Sequence, residues 1–260
     1  MTLPVNFKLA GRSFTADLAR PSDISIPMHP DARNVNCYYA DEPESETIRS
    51  GSFVGSVALG GSVNYKTLKL TPHGNGTHTE CCGHISADPQ FNLLNCFNRF
   101  IFTAELISIA PAELPNGDFC IKISALAAAF QDFEYMPEAL IVRTFPNEPA
   151  KQTAQYSGTN PPYFEPGCGE LLAENGILQF LTDLPSVDRE QDEGRLSVHK
   201  SFWSYPYSPR SLACITELIY VSSDIPDGRY LVSISPLRLE TDASPSRVVL
   251  YMLSETEQVS

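Results

Sequence analysis

Three of the five histidines in this 260-residue sequence stand in one stretch, residues 71–85, which reads TPHGNGTHTECCGHI. Its centre is Thr77-His78-Thr79-Glu80. In an extended strand alternate side chains share a face, so His78 and Glu80 project the same way. An imidazole and a carboxylate on one strand face, with His73 and His84 on either side, is a metal-ligand spacing. Glycines at 74, 76 and 83 allow the backbone to turn tightly around such a point. His84 could be a further ligand, or the group beside the metal that moves protons, a role suited to a side chain that titrates near neutrality. Cys81 and Cys82 offer thiolates that suit zinc, but neighbours on a strand face opposite ways, so at most one would reach the metal. The plainer reading of both is small buried residues.

Two downstream residues extend the set. His199 lies in Ser197-Val-His-Lys-Ser-Phe-Trp203, directly after an acidic segment. Glu217 interrupts the apolar run Cys214-Ile-Thr-Glu-Leu-Ile-Tyr220. A carboxylate buried in such a run is costly unless it meets a cation or an arginine. Nitrogen and oxygen donors of this kind suit one or two divalent metals. A metal so held lowers the pKa of a water toward ~7, and His84 would serve as base toward that water and acid toward a leaving nitrogen. The aromatic set Phe202, Trp203, Tyr205 and Tyr207 would either wall a pocket for a flat substrate or pack in the core.

Strands and turns must position these groups. Residues 1–27 alternate weakly and suggest paired strands, and residues 28–50 read as a long surface loop. From Ser52 to Leu70 the pattern is strand, Gly60-Gly61 turn, strand, the second strand delivering the chain into the histidine stretch. Phe100–Ile109 and Ala139–Thr144 read as buried strands. A short helix starts near Ser124, its expected N-cap. A second runs from Pro166 to Asn175 with Gly176 past its end. A strand over Ile177–Asp183 completes a crossover unit, and further strands are expected at Cys214–Ser222, Arg229–Pro236 and Arg247–Leu253. The simplest organisation is one domain over residues 1–260, mostly strands with a few helices packed on them.

Composition narrows the function. Hydrophobic residues make up 42% and charged residues 19%, which is globular rather than disordered. A net charge of −13 argues against nucleic acid and anionic membrane surfaces as partners. No apolar run approaches a membrane span and the N-terminus lacks a signal-peptide core, so a cytoplasmic protein acting on a small molecule is expected. The odd count of seven cysteines, without framework spacing, implies free thiols. A phosphate loop, a nucleophile elbow and zinc-finger spacing are all missing.

The stretch His73-Gly-Asn-Gly-Thr-His-Thr-Glu-Cys-Cys-Gly-His84 resembles the HxGTHxDxPxH signature of the cyclase family, which includes bacterial kynurenine formamidases and isatin hydrolases. Asp23-Ile-Ser, Asp183-Leu-Pro-Ser-Val-Asp188 and Thr216-Glu-Leu218 resemble three further family segments in order. The resemblance implies an α/β fold, a compact β-barrel-like sheet flanked by helices, assembled as a homodimer or homotetramer. It also implies a two-metal site, usually zinc or manganese, with His73, His78 and Glu80 on the first metal. Glu80 would bridge to a second metal bound by His199, Glu217 would complete the bridge, and His84 would be the catalytic acid/base. The sequence departs from the signature where Glu80 replaces aspartate, Cys82 replaces proline, and His73 stands five rather than four residues before His78. The implied activity is hydrolysis of a small amide, foremost an arylformamidase converting N-formylkynurenine to kynurenine and formate. The alternatives are a lactam or lactone hydrolase of the isatin type, or a non-catalytic metal- or ligand-binding protein on the same fold.

Overall fold

The computed structural model describes residues 1–30 and 33–256. Its main sheet has ten strands: β1 (Pro4–Leu9), β2 (Arg12–Asp17), β3 (Ser22–Asp23), β4 (His78–Cys81), β5 (Ile101–Ile109), β6 (Ala139–Thr144), β7 (Gln179–Thr182), β8 (Cys214–Glu217), β9 (Gly228–Pro236) and β10 (Ala243–Glu255). Seven of them close into a barrel in the order β10-β9-β5-β6-β7-β8-β4, because β4 pairs with β8 on one side and with β10 on the other. The β1–β2 hairpin extends from β10 outside the ring. Strands β5, β6, β7 and β8 run parallel, and the rest of the ring is antiparallel.

Parallel strands are covered on both faces and therefore read as unbroken apolar runs. Strand β6, with the sequence ALIVRT, is buried at every position and occupies the expected residues. Alternate side chains then serve two cores. Ile141, Leu181, Cys214 and Cys81 fill the barrel interior together with Phe102, Leu106, Val232 and Leu250. Leu140, Val142, Phe180 and Ile215 face outward and pack beneath a layer of helices. That layer comprises α3 (Ile123–Gln131), α4 (Cys168–Glu174) and α5 (Ser197–Phe202), which follow two one-turn helices, α1 (Pro72–Asn75) and α2 (Leu93–Cys96). Leu126 and Phe130, Cys168 and Leu172, and Val198 and Phe202 are pairs one turn apart, the spacing by which each helix turns an apolar stripe to the sheet.

Several expected boundaries move for identifiable reasons. Helix α3 begins one residue before Ser124, because Glu165 accepts the Ile123 N–H at 2.9 Å and supplies the end group Ser124 was expected to provide. Helix α4 starts at Cys168 after Gly167 takes a left-handed φ of 97°, and Gly176 ends it with φ 76°, as its position foretold. Strand β8 stops at Glu217, short of Ser222, because Leu218 adopts φ 55° and turns its N–H to the Leu184 carbonyl. The expected hairpin around Gly60-Gly61 does not form. Instead Lys66–Lys69 pairs with Glu44–Thr47, and Phe53–Val54 pairs with Arg49–Ser50. At Gly60-Gly61 the chain closes on itself, the Gly60 N–H donating to the Val57 carbonyl and the Gly61 N–H to that of Ser56. The segment expected to be a surface loop carries the Glu44–Thr47 strand, and it buries Asn34, Val35, Asn36 and Cys37; residues 31–32 lie outside the described residues. All seven cysteines are free and buried. No helix among the described residues is long and apolar enough to cross a membrane.

Candidate metal centre

Alternation along β4 sends Cys81 into the barrel and therefore Glu80 and His78 outward. On the neighbouring strand Cys214 points in and Ile215 and Glu217 point out, and the register sets Glu217 opposite His78. Their inward partners Thr79 and Thr216 share a hydroxyl hydrogen bond of 2.8 Å. The outer wall of the barrel thus carries an imidazole and two carboxylates, all buried.

His78 Nδ1 lies 3.0 Å from the Gly76 carbonyl. A carbonyl only accepts, so Nδ1 carries the hydrogen and Nε2 the lone pair. That Nε2 is buried without a hydrogen-bond partner and sits 3.4 Å from Glu217 Oε2. Glu80 Oε2 is also buried and lacks a bond of good geometry, although His73 Nδ1 is 3.3 Å away and His84 Nδ1 3.7 Å. The His78 lone pair packed against the Glu217 carboxylate is costly in the absence of a cation. The donor set is therefore one that fits a divalent metal.

His199 arrives from α5. The residue preceding that helix, Leu196, has φ 47° and no capping side chain. Asp188 does the capping from outside, accepting the N–H groups of Val198 at 2.9 Å and His199 at 3.1 Å. The same carboxylate accepts from His199 Nδ1 at 2.7 Å, which leaves Nε2 pointing at Glu80 Oε1, 3.1 Å away. Glu217 Oε1 accepts the Val187 N–H at 2.9 Å and stands 4.0 Å from His199 Nε2. Trp203 backs the His199 ring at 5.5 Å between centroids and donates its indole N–H to the Ala213 carbonyl.

The third side is built from turns. His73 sits on α1, where Asn75 accepts the Thr71 N–H at 2.7 Å and the missing Cβ of Gly74 lets the turn approach Ala40. This helical turn takes up the additional residue between His73 and His78, whose rings come within 5.0 Å. His84 ends the 3-10 turn Cys82–His84, its ring 4.3 Å from that of His73. Between them lies Asp242, with Oδ2 at 3.0 Å from His73 Nε2 and 3.3 Å from His84 Nδ1.

Charges in the cluster respond to one another. Burial opposes a charge on His73, but Asp242 and Glu80 outweigh it and push its pKa up to about 10. Burial likewise opposes charge on His199, and Asp188 and Glu80 raise it to about 10. Glu80 is held well below its ordinary value, its complete burial overcome by His84, His199 and His73. Asp242 is depressed by its hydrogen bonds to His73 and then His84.

Three groups among the described residues bring donor atoms within 4.8 Å of one another: His73, His78 and Glu80; His73, His84 and Asp242; Glu80, His84 and His199. Each could hold a divalent ion. Glu217 belongs to none of these groups, yet it lies beside both His78 and His199. Cys81 and Cys82 enter the interior and the outer core respectively, and neither joins a donor group. The aromatic set forms no common wall: Phe202 and Trp203 are core residues, whereas Tyr207 is 96% exposed. Two residues of the centre were given no role from the sequence. Asp188 falls in a segment that resembles the family, but its hold on His199 was not foreseen. Asp242 sits between Thr241 and Ala243 with no local signal, and its partners are 169 and 158 positions away.

Comparison with known proteins agrees with this architecture. The family model of putative cyclases matches residues 17–189, more than half of the chain. Isatin hydrolase A from Labrenzia aggregata, solved with benzyl benzoate, aligns with a TM-score of 0.65 at 15% identity, covering 90% of this chain and 93% of that one. An isatin hydrolase bound to the product analogue thioisatinate gives a TM-score of 0.63 at 15% identity, covering 90% and 93%. A predicted metal-dependent hydrolase from Bacillus stearothermophilus gives 0.60 at 20% identity, covering 89% and 98%. No curated protein matches the sequence. Identities this low speak for the fold, and the family match goes further: the chain belongs to the cyclase family of metal-dependent hydrolases.

Proposed function

We propose that the protein hydrolyses a small amide with the help of a divalent metal, and that a cyclic amide of the isatin type is the favoured substrate class. The observation that carries the metal half of this reading is His78 Nε2, a buried lone pair set against Glu217 with no hydrogen donor to meet it. The substrate half is supported by the likeness to isatin hydrolases. The arylformamidase expected from the sequence has less behind it, since none of the relatives above is described as a formamidase.

In this reading His73, His78 and Glu80 would hold one metal, and Glu80, His199 and Glu217 would suit a second. Zinc or manganese, a homo-oligomeric assembly and a cytoplasmic setting are part of the same proposal. A bound divalent ion would supply Lewis acidity toward the amide carbonyl and make a water acidic enough to attack at neutral pH. The side chains do the rest. His84, exposed at the rim of the cluster, takes a proton from the attacking water and returns it to the nitrogen as the C–N bond breaks. His199 is fixed by Asp188 and cannot swing away. Trp203 and the α5 core keep bulk water from the buried carboxylates.

A substrate panel of isatin-type cyclic amides, lactones and aryl formamides, assayed with zinc- and manganese-loaded protein, tests the reading. Turnover of cyclic amides that falls at least tenfold in His84→Ala, at unchanged metal content, is expected. Turnover of formamides alone would restore the arylformamidase, and inertness toward the whole panel with metal bound would favour a binding protein.

A further inference from the structure

We propose that Asp242 is the positioning residue of this centre, a single carboxylate oxygen that sets opposite tautomers on His73 and His84. The inference rests on the hydrolase reading above, in which His73 is a ligand and His84 the acid/base. Oδ2 of Asp242 contacts both rings, at Nε2 of His73 (3.0 Å) and at Nδ1 of His84 (3.3 Å). A carboxylate oxygen accepts, so both contacting nitrogens carry hydrogen when the rings are neutral. The lone pairs are then left on the other nitrogens. His73 presents Nδ1, which already lies 3.3 Å from Glu80 Oε2 on the metal side. On His84 the lone pair is then on Nε2, while Nδ1 stays turned to Asp242 and lies 3.7 Å from Glu80 Oε2. Free neutral histidine prefers hydrogen on Nε2, so His84 is held in its less favoured form by this contact.

The fold delivers the carboxylate through the seam that closes the barrel. The Asp242 carbonyl accepts the Cys81 N–H at 2.9 Å, and the next residue, Ala243, pairs with Glu80. Gly83, next to His84, lets this turn pack against Phe91, whose carbonyl oxygen would stand 2.0 Å from a Cβ there. One strand connection therefore orders a metal ligand and a proton carrier together. Outer partners of this kind fix ring orientation and raise ligand basicity.

The test is long-range proton–nitrogen NMR of the imidazoles in zinc-loaded protein, with His84 read also before zinc is added. The wild type is expected to show His73 with hydrogen on Nε2 and His84 with hydrogen on Nδ1. In Asp242→Ala, His84 should revert to the Nε2–H form, turnover should fall about 10- to 100-fold with KM little changed, and zinc should bind more weakly. Asp242→Asn keeps an accepting oxygen and should recover the Nδ1–H form and part of the rate. A wild-type His84 with hydrogen on Nε2 overturns the proposal, as does an Asp242→Ala spectrum identical to wild type. If Asp242→Ala does not fold, the wild-type spectrum alone decides. Zinc content of the wild type tests the hydrolase reading separately, because a protein that takes up no zinc still reports the His84 tautomer.

Discussion

At the scale of single residues, the centre is a contest between protons and a cation for the same atoms. The neighbouring carboxylates push His73 and His199 up to about 10, so both rings are protonated on both nitrogens at neutral pH. A metal at His73 Nδ1 and His199 Nε2 must displace those protons. Metal affinity should therefore rise with pH through neutrality until about 10, and binding should release protons. Calorimetric titration in two buffers of different ionisation enthalpy measures the release, and equal heats in both would count against it. The part of this cluster legible from sequence is the part governed by strand period. His78 and Glu80 alternate on one strand, and Glu217 stands out as an acid in an apolar run. Asp242 was invisible because its role exists only after the barrel closes.

At the scale of elements, α5 shows how much a helix can depend on a residue outside it. Its own flank offers no cap, so Asp188, 10 and 11 positions upstream of its two amide partners, supplies one and orients His199 as well. Asp188→Ala should cost about 1 kcal/mol of stability, the typical value of a lost cap. It should also lower metal affinity or activity about 10- to 100-fold through the freed His199 ring. Asp188→Asn, which can still cap, should keep most of the stability. Thermal melts and metal titrations of both variants check this, and an Asp188→Ala protein that melts and binds like wild type would contradict it. The helix itself was not read from Ser197-Val-His-Lys-Ser-Phe-Trp203, since the usual N-terminal signal is local and this one comes from another loop. Helix α4 was legible for the opposite reason, as Gly176 marks its end in place.

At the scale of the whole molecule, the parallel strands announce themselves through unbroken apolar runs, whereas the closure of β4 on β10 is a pairing of distant segments that no local pattern encodes. Loops on the helical side are tied by a different buried acid. Asp118 accepts from Arg189, Asn160, Tyr163 and Asn116, joining residues 114–118 and 160–163 to the segment beside Asp188. These bonds, the one from Arg189 first, hold its carboxyl well below its ordinary value of 3.8. A depressed carboxyl contributes stability that is complete above its unfolded value and is lost as pH falls below it. The protein should therefore lose stability as pH falls below about 3.8, and Asp118→Asn should be less stable at neutral pH with a flatter acid limb. Denaturant midpoints between pH 2 and 7 would show it, and parallel curves for variant and wild type would contradict it.

Metal-dependent hydrolysis requires that the outer wall of this barrel bind a divalent metal through the cluster around Glu80. Elemental analysis of protein purified without chelators, for wild type and for Glu80→Gln, tests it most directly. Near-stoichiometric zinc or manganese in the wild type, lost in a folded Glu80→Gln, is the result expected. A folded wild type that remains metal-free after incubation with either ion would contradict it.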